Sequence, residues 1–350
     1  RHTRARAIPR FPELDSTTVP PGRSLPEATA SRTIASLEHQ WGNGREQLIA
    51  KDVLVIDRTH GVLTWVAPGT AVVTRQVSVA QDFAANPHDV LELEDGRLLV
   101  TRYDRAPGDL AGGDDVVVLA ADGTVSQSIS FSTAPGIRAR PDRLLSLGDR
   151  VLVSLNHGSP DYTDWSAGRY ATLSQVDGLW AVDQEWTLPE VRNCGGLAAD
   201  GDRFAVVCTG VYEAGMPLGE GSGVILSDEN GVESARLLGS DPRVAGALAP
   251  AVAFADGSVW LVRYGELGGR GDAVLRWDPE QDAVESALEL EGAFAIESLA
   301  SLEEGGVLVP VGLPEDPKVC RLNAAGWTCG SVCAGSGLPP RSLRALDEPG

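Results

Sequence analysis

The chain has 350 residues, 43% of them hydrophobic, which is enough to bury a substantial core, and no apolar run approaches the roughly 18 residues that a membrane-spanning helix needs. Its formal charge is −20 and its pI about 4.6, which disfavours nucleic acid and anionic membranes as partners, because phosphate binding needs basic patches. The same acidity suits a cation such as calcium, a basic partner or plain solubility.

Residues 1–31 are Pro-rich and carry Arg1, Arg4, Arg6 and Arg10 without a sustained apolar period, so they read as an arm or tether. The chain begins at Arg1 without an apolar leader, so any secretion signal is expected to have been removed or never included; a lipid-anchored form is one way such an arm would serve. Residues 32–350 are expected to form one domain, with a first strand within 33–41. Three further strands follow from Lys51: Val53-Leu-Val-Ile-Asp, Val62-Leu-Thr-Trp-Val-Ala-Pro-Gly-Thr and Ala71-Val-Val-Thr-Arg-Gln-Val-Ser-Val. Residues 86–104 then set two apolar runs either side of an Asp95-Gly96 turn, a strong hairpin signal. The same pattern returns with turns at Asp149, Asp200, Asp256 and Glu304, a spacing of roughly 50 residues that in an all-strand pattern means propeller blades.

The expected fold is therefore an all-β single β-propeller of six four-stranded blades. Seven is the alternative count if residues 32–50 hide further strands. The first blade lacks an innermost strand in sequence, and residues 340–346 resemble the innermost strands that begin at Pro87 and Pro141. That C-terminal strand is expected to close the ring, which removes exposed sheet edges.

Cysteine spacing bears on the compartment. Cys194 and Cys208 are equidistant from the Asp200-Gly201-Asp202 turn, and Cys320 and Cys329 from a loop at 323–326, so each pair faces across a hairpin. Both are expected to be disulfides, which implies a secreted, periplasmic or cell-surface protein. Cys333 is left over.

Equal offsets from equivalent turns mean equivalent places around the ring. His88, Asp142, Asn193, Ala249 and Glu297 stand seven residues before the five turns, at the starts of innermost strands and so at one mouth of the central channel. Tyr103, His157, Cys208 and Tyr264 stand eight residues after, near the same mouth. Most of the long, Gly- and acid-rich connections leave from this face, whereas the other face has short turns such as Asp122-Gly123 and Asn230-Gly231. Long loops on a rigid scaffold usually carry function. His88, Tyr103, His157, Asp161 and Tyr264 are the expected ligand-binding residues, and the His157–Trp165 loop either gates the mouth or packs down on Tyr162 and Trp165. Asp142, Asn193 and Glu297 offer oxygens that would suit calcium, with His88 beside them, although polar residues line any water-filled channel. Nucleophilic catalysis is not expected: no Gly-x-Ser-x-Gly elbow occurs, and Ser154 lies away from the strand end that carries His157.

Asn86-Pro87-His88-Asp89-Val90 followed by a hairpin resembles the strand starts of extracellular propeller proteins of the YVTN and NHL kinds, although the Tyr-Val-Thr-Asn signature is absent. That resemblance implies a propeller that binds proteins, glycans or small ligands. A more distant likeness is to six-bladed lactonases and gluconolactonases, which hold calcium in the channel with Glu, Asn and Asp. The expected function is a binding or scaffold module with its ligand face at the long-loop mouth and a protein or small-molecule partner. The alternative is a calcium-dependent, lactonase-like hydrolase or lyase with His88 as general base.

Overall fold

The computed structural model of the protein describes residues 52–331 apart from 68–69, 71, 109–111, 212–218, 267–268, 293–295, 297, 312–317 and 324. The arm at 1–31, the expected strand within 33–41, the closing strand at 340–346, Cys333 and Glu297 lie outside the described residues.

The described residues form strands and turns, arranged as six antiparallel sheets. The first has three strands, β1 (Val53–Asp57), β2 (Val62–Ala67) and β3 (Val72–Ser78). The other five have four strands each, in sequence order. They are β4 (Pro87–Glu92), β5 (Leu98–Arg105), β6 (Gly113–Leu119) and β7 (Val125–Ser130); then β8 (Pro141–Leu147), β9 (Arg150–Leu155), β10 (Gly168–Val176) and β11 (Leu179–Leu188). Next come β12 (Cys194–Asp200), β13 (Arg203–Thr209), β14 (Ser222–Asp228) and β15 (Glu233–Leu238), followed by β16 (Leu248–Ala255), β17 (Ser258–Arg263), β18 (Ala273–Asp278) and β19 (Ala283–Glu289). The last sheet is β20 (Ala300–Ser301), β21 (Val307–Val311), β22 (Lys318–Asn323) and β23 (Gly326–Ser331).

The first strands of successive sheets are neighbours: β4 packs on β8, β8 on β12, β12 on β16, and β16 on β20, while β1 contacts β4. The four sheets that begin with β4, β8, β12 and β16 are thus each sandwiched between two others. Side chains alternate between faces along a strand, so one strand feeds two cores. Leu98 and Val100 join the layer shared with Leu54, Leu63 and Trp65, whereas Leu99 joins the layer shared with Leu144, Val151 and Val153. Burial on both faces explains why the second strands read as unbroken apolar runs such as Leu98-Leu99-Val100 and Val259-Trp260-Leu261-Val262.

Both expected disulfides are present, between directly opposed residues of β12–β13 (Cys194–Cys208) and β22–β23 (Cys320–Cys329).

Four of the first strands, β4, β8, β12 and β16, share one irregularity. Pairing shifts between Pro87 and Val90, Pro141 and Leu144, Cys194 and Gly196, and Leu248 and Val252. Such bulges leave amides without a ladder partner. Thr101 Oγ1 accepts from the backbone N–H of His88 (3.2 Å) and Asp89 (2.8 Å), and Ser154 Oγ accepts from Arg143 N–H (3.0 Å). Ser154 is therefore a buried structural acceptor.

Asp89 also serves a bulge. Its carboxylate accepts from Val90 N–H (3.0 Å) and, across to the next blade, from Leu144 N–H (2.9 Å). Burial drives its pKa up from 3.8 to about 6, against the pull of Arg143 and of those two amides. A carboxyl whose folded pKa is raised contributes stability below about 3.8 that is lost as pH rises through about 6. Asp89→Asn removes the charge and keeps an oxygen for one of the two amides; losing the other bond is a pH-independent cost. Its stability relative to the parent is expected to increase between pH 4 and pH 7.5, by an amount on the order of 2–3 kcal/mol. Urea unfolding at the two pH values checks this, and a pH-independent difference would contradict it.

Candidate functional site

The first strands of neighbouring blades bring His88 (β4) and Asp142 (β8) together, because each follows the proline that opens its strand. His88 Nδ1 lies 2.9 Å from Asp142 Oδ1, and the imidazole stacks on the Tyr103 ring at 4.0 Å with the planes 2° apart. Tyr103 donates its hydroxyl to Asn156 Oδ1 (2.6 Å). Asn156 Nδ2 donates in turn to Asp142 Oδ2 (3.1 Å) and to the Cys194 carbonyl (2.6 Å). Three successive blades are thus tied by one polar circuit. Gly195 holds the corresponding place in the β12 blade, where a Cβ would come within 2.8 Å of Asp142 Oδ2. A side chain there would push the carboxylate out of the circuit.

The electrostatics fix the protonation states. Burial lowers the His88 pKa from its ordinary 6.5, outweighing the attraction of Asp142. Burial pushes Asp142 up, but the His88 ring, Arg143 and the bonds from His88 and Asn156 leave its carboxyl below the ordinary value. The pair is a neutral imidazole donating from Nδ1–H to a carboxylate. His88 Nε2 faces a guanidinium nitrogen of the exposed Arg58, which also donates from Nε to Asn86 Oδ1 (3.0 Å). Asn86 continues to Asp104 Oδ2 (2.9 Å). As it stands, Nε2 is capped by a cation and is not presented as a base.

Tyr103 and Tyr264 occupy equivalent positions, each donating its backbone N–H to the residue just before the first strand (Asn86 and Ala247). Their counterparts in the other two blades are Asn156 and Thr209, not His157 and Cys208, because the β4–β5 turn is one residue longer than the β8–β9 turn and Asp200 closes β12 rather than lying in its turn. His157 lies one residue further on: its Nδ1 meets Ser166 Oγ, and its Nε2 is buried without a partner among the described residues. Asn193 is corrected in the same way. Gly201-Asp202 forms the two-residue turn that Gly148-Asp149 forms earlier, so Gly195, two residues after Asn193, matches His88 and Asp142. The Asn193 amide instead donates to Thr209 Oγ1 (2.8 Å) and the Gly210 carbonyl (3.3 Å) on its own hairpin. Tyr264 packs at the edge of the core between the β16–β19 and β20–β23 sheets.

Asp161 organises its own loop. It accepts from Ser159 Oγ (2.7 Å) and Thr163 Oγ1 (2.8 Å), and these bonds bring its pKa down to about 2. Gly158 lies so close to the Trp165 ring that a Cβ would sit 2.7 Å from it, and Arg140 stacks 3.6 Å over Tyr162. The His157–Trp165 loop is therefore packed down. Between it and the β5–β6 connection lies a cleft of about 460 Å³, bordered by Tyr103, Asp104, Arg105, Arg138, Arg140 and Pro160.

Asn156, Arg140, Arg58 and Asn86 are the site residues that spacing did not single out. Asn86 and Arg140 had a usable signal, since each stands immediately before the proline that opens its first strand.

No family model matches the chain, and no curated protein matches it in sequence. Solved structures do. A catalytically inactive variant of virginiamycin B lyase from Staphylococcus aureus, crystallised with quinupristin, matches with a TM-score of 0.58 at 10% identity, covering 84% of this chain and 85% of that one. A chain of the mitotic checkpoint complex matches at 0.54 and 12% identity, over 81% and 74%. A protein from Bacteroides uniformis assigned as a 6-phosphogluconolactonase matches at 0.53 and 14%, over 80% of each chain. At these identities the likeness shows the fold alone, that of a β-propeller.

The circuit predicts that His88 stays neutral, as the Nδ1–H tautomer, at and below its ordinary pKa of 6.5. A depressed histidine contributes stability that is present above the unfolded value and is lost as pH falls through the folded one. Nitrogen-detected NMR of the imidazole checks both points, and a His88 midpoint above 6.5 would contradict them.

Proposed function

We propose that the protein is a binding module that works outside the cytoplasm, with its ligand face at the mouth where the first strands begin. The observation that carries this reading is the His88–Asp142–Asn156–Tyr103 circuit. It fixes the rim of the mouth beside the 460 Å³ cleft, and its four side chains are engaged with one another. A rigid rim beside an open cleft is what a binding site needs. The two disulfides support an oxidising location, and no helix among the described residues is long and apolar enough to cross a membrane. The partner is a small molecule or a protein; one fold relative is a chain of a multiprotein complex.

A screen of small metabolites by thermal shift tests the reading. At least one compound is expected to raise the melting temperature in a way that Tyr103→Ala abolishes and Asn230→Ala, on the short-turn face, does not. The opposite pattern would move the ligand face to the other side of the ring.

The second reading is a calcium-dependent hydrolase or lyase with His88 as base and Asp142, Asn193 and Glu297 as ligands. It draws on the paired His88 and Asp142, and it requires Arg58 to leave Nε2. Both Asp142 oxygens already accept hydrogen bonds, and Asn193 is turned to its own hairpin, so the first reading is preferred. Calcium that binds only the folded state at a hundredfold excess over Kd stabilises by about 2.7 kcal/mol. A gain of that size, lost in Asp142→Asn, would reverse the preference.

The unit is further proposed to be one six-bladed ring spanning 32–350, closed by residues 340–346 beside β1, with 1–31 as a separate arm. Support comes from the β1–β3 sheet, which has three described strands where the others have four, and from the contact of β1 with β4. Deleting residues 338–350 is expected to lower the melting temperature of the whole protein. A truncated protein that melts like the intact one would refute closure by this strand.

A further inference from the structure

We propose that the cleft between the β5–β6 connection and the His157–Trp165 loop binds the anionic headgroup of a small ligand, a carboxylate or a phosphate. The inference rests on the binding reading given above and specifies its ligand class. In a chain of net charge −20, three guanidinium groups, Arg105, Arg138 and Arg140, border this one cleft.

Arg140 is the decisive residue. It is only 3% exposed, yet its Nε and Nη1 have no hydrogen-bond partner. Its other terminal nitrogen, Nη2, donates to the carbonyls of Ser159 (2.8 Å) and Pro160 (3.1 Å). Those bonds, with Tyr162 stacked 3.6 Å away on its face and Tyr103 at 5.1 Å, hold the group in place. Buried N–H donors on a cation are normally satisfied; these two are closed off from solvent in a residue that borders the cleft, and an oxyanion seated against that wall would supply the missing acceptors.

The backbone points the same way. Asn86, Arg140 and Asn193 are equivalent positions, and all three are left-handed, with φ of 48°, 51° and 58°. Asparagine tolerates this conformation better than most residues, and both asparagine amide N–H groups donate within their own blade. The arginine instead reaches the loop carbonyls of Ser159 and Pro160, which leaves the rest of its guanidinium unbonded at the border of the cleft.

The acids nearby are committed elsewhere. Asp114 faces Arg138 and Arg140 but gives Oδ1 to the Arg140 backbone N–H (2.6 Å). Asp104 accepts from Asn86 and from the Tyr162 hydroxyl (3.4 Å). Neither forms an ion pair with the three guanidinium groups among the described residues. Arg105 is exposed and Arg138 half-buried, so both can reach the outer part of a ligand.

The test uses the full chain at constant ionic strength, with inorganic phosphate, succinate and citrate as probes and succinamide and chloride as controls. Small fragments bind weakly, so titrations run to about 10 mM. At least one oxyanion is expected to raise the melting temperature saturably while the controls do not. Binding by calorimetry should weaken at least about tenfold in the Arg105→Gln/Arg138→Gln double variant, which alters one exposed and one half-buried side chain and whose fold should persist. Arg140→Gln should abolish binding; where it melts too low to assay, the double variant decides. Phosphate alone, or carboxylates alone, names the headgroup. No response to any oxyanion overturns the proposal, as does one that the double variant retains. If neutral compounds still bind in a Tyr103-dependent way, the ligand face survives and only the anion class falls.

Discussion

Where a sheet lies between two neighbours, the backbone at the start of its first strand must find its hydrogen bonds within a narrow gap between blades. Buried polar groups left unpaired cost about 1–3 kcal/mol each. Thr101, Ser154 and Asp89 meet this demand at the bulges, and Asp89 does so across the gap, on Leu144. The apolar layers hold the sheets together, each fully buried Leu, Ile or Val contributing about 1.5–3 kcal/mol. The bulge acceptors decide how neighbouring blades are set against one another. The strongest local example is Arg102, almost fully buried, whose guanidinium pairs with both oxygens of Asp115 at 2.7 and 2.6 Å. Removing one partner of such a pair leaves an uncompensated charge in the core.

The mouth of the propeller follows from the same constraint. His88 and Asp142 meet because bulges begin at the same point of adjacent strands, and Asn156 and Tyr103 close the circuit because their strands carry the matching register. The outcome is a rim whose side chains are locked by one another. A neutral His88, an ionised Asp142 and a capping Arg58 make a well-defined surface. Beside that rim, Arg140 is the departure: it is buried, cationic and incompletely bonded, at a position where two sister blades use asparagine.

The sequence by itself determined the architecture. Turn signals at Asp95, Asp149, Asp200, Asp256 and Glu304, with apolar runs either side, define five hairpins, because alternation and turn chemistry are local properties. Both disulfides were legible for the same reason, since equidistance from a turn places two residues opposite each other. His88, Asp142 and Tyr103 were found by counting from turns. Counting failed where the reference residue shifted. Asp200 closes β12 whereas Asp149 lies inside its turn, so Asn193 fell two residues short of the matching place. The β4–β5 turn is one residue longer than the β8–β9 turn, so His157 stood one beyond.

What only the tertiary structure decided was which polar groups meet. Asn156 joins Tyr103 and Asp142 from three strands in two blades, and no spacing rule encodes a contact across a gap between sheets. The cleft is likewise made by two loops of adjacent blades, so its three arginines, scattered from 105 to 140 in sequence, become one positive wall only when the blades stack. Sequence periodicity reports on one strand and its hairpin partner. The placement of charge at the mouth depends on how whole sheets pack, which is a property of the assembled propeller.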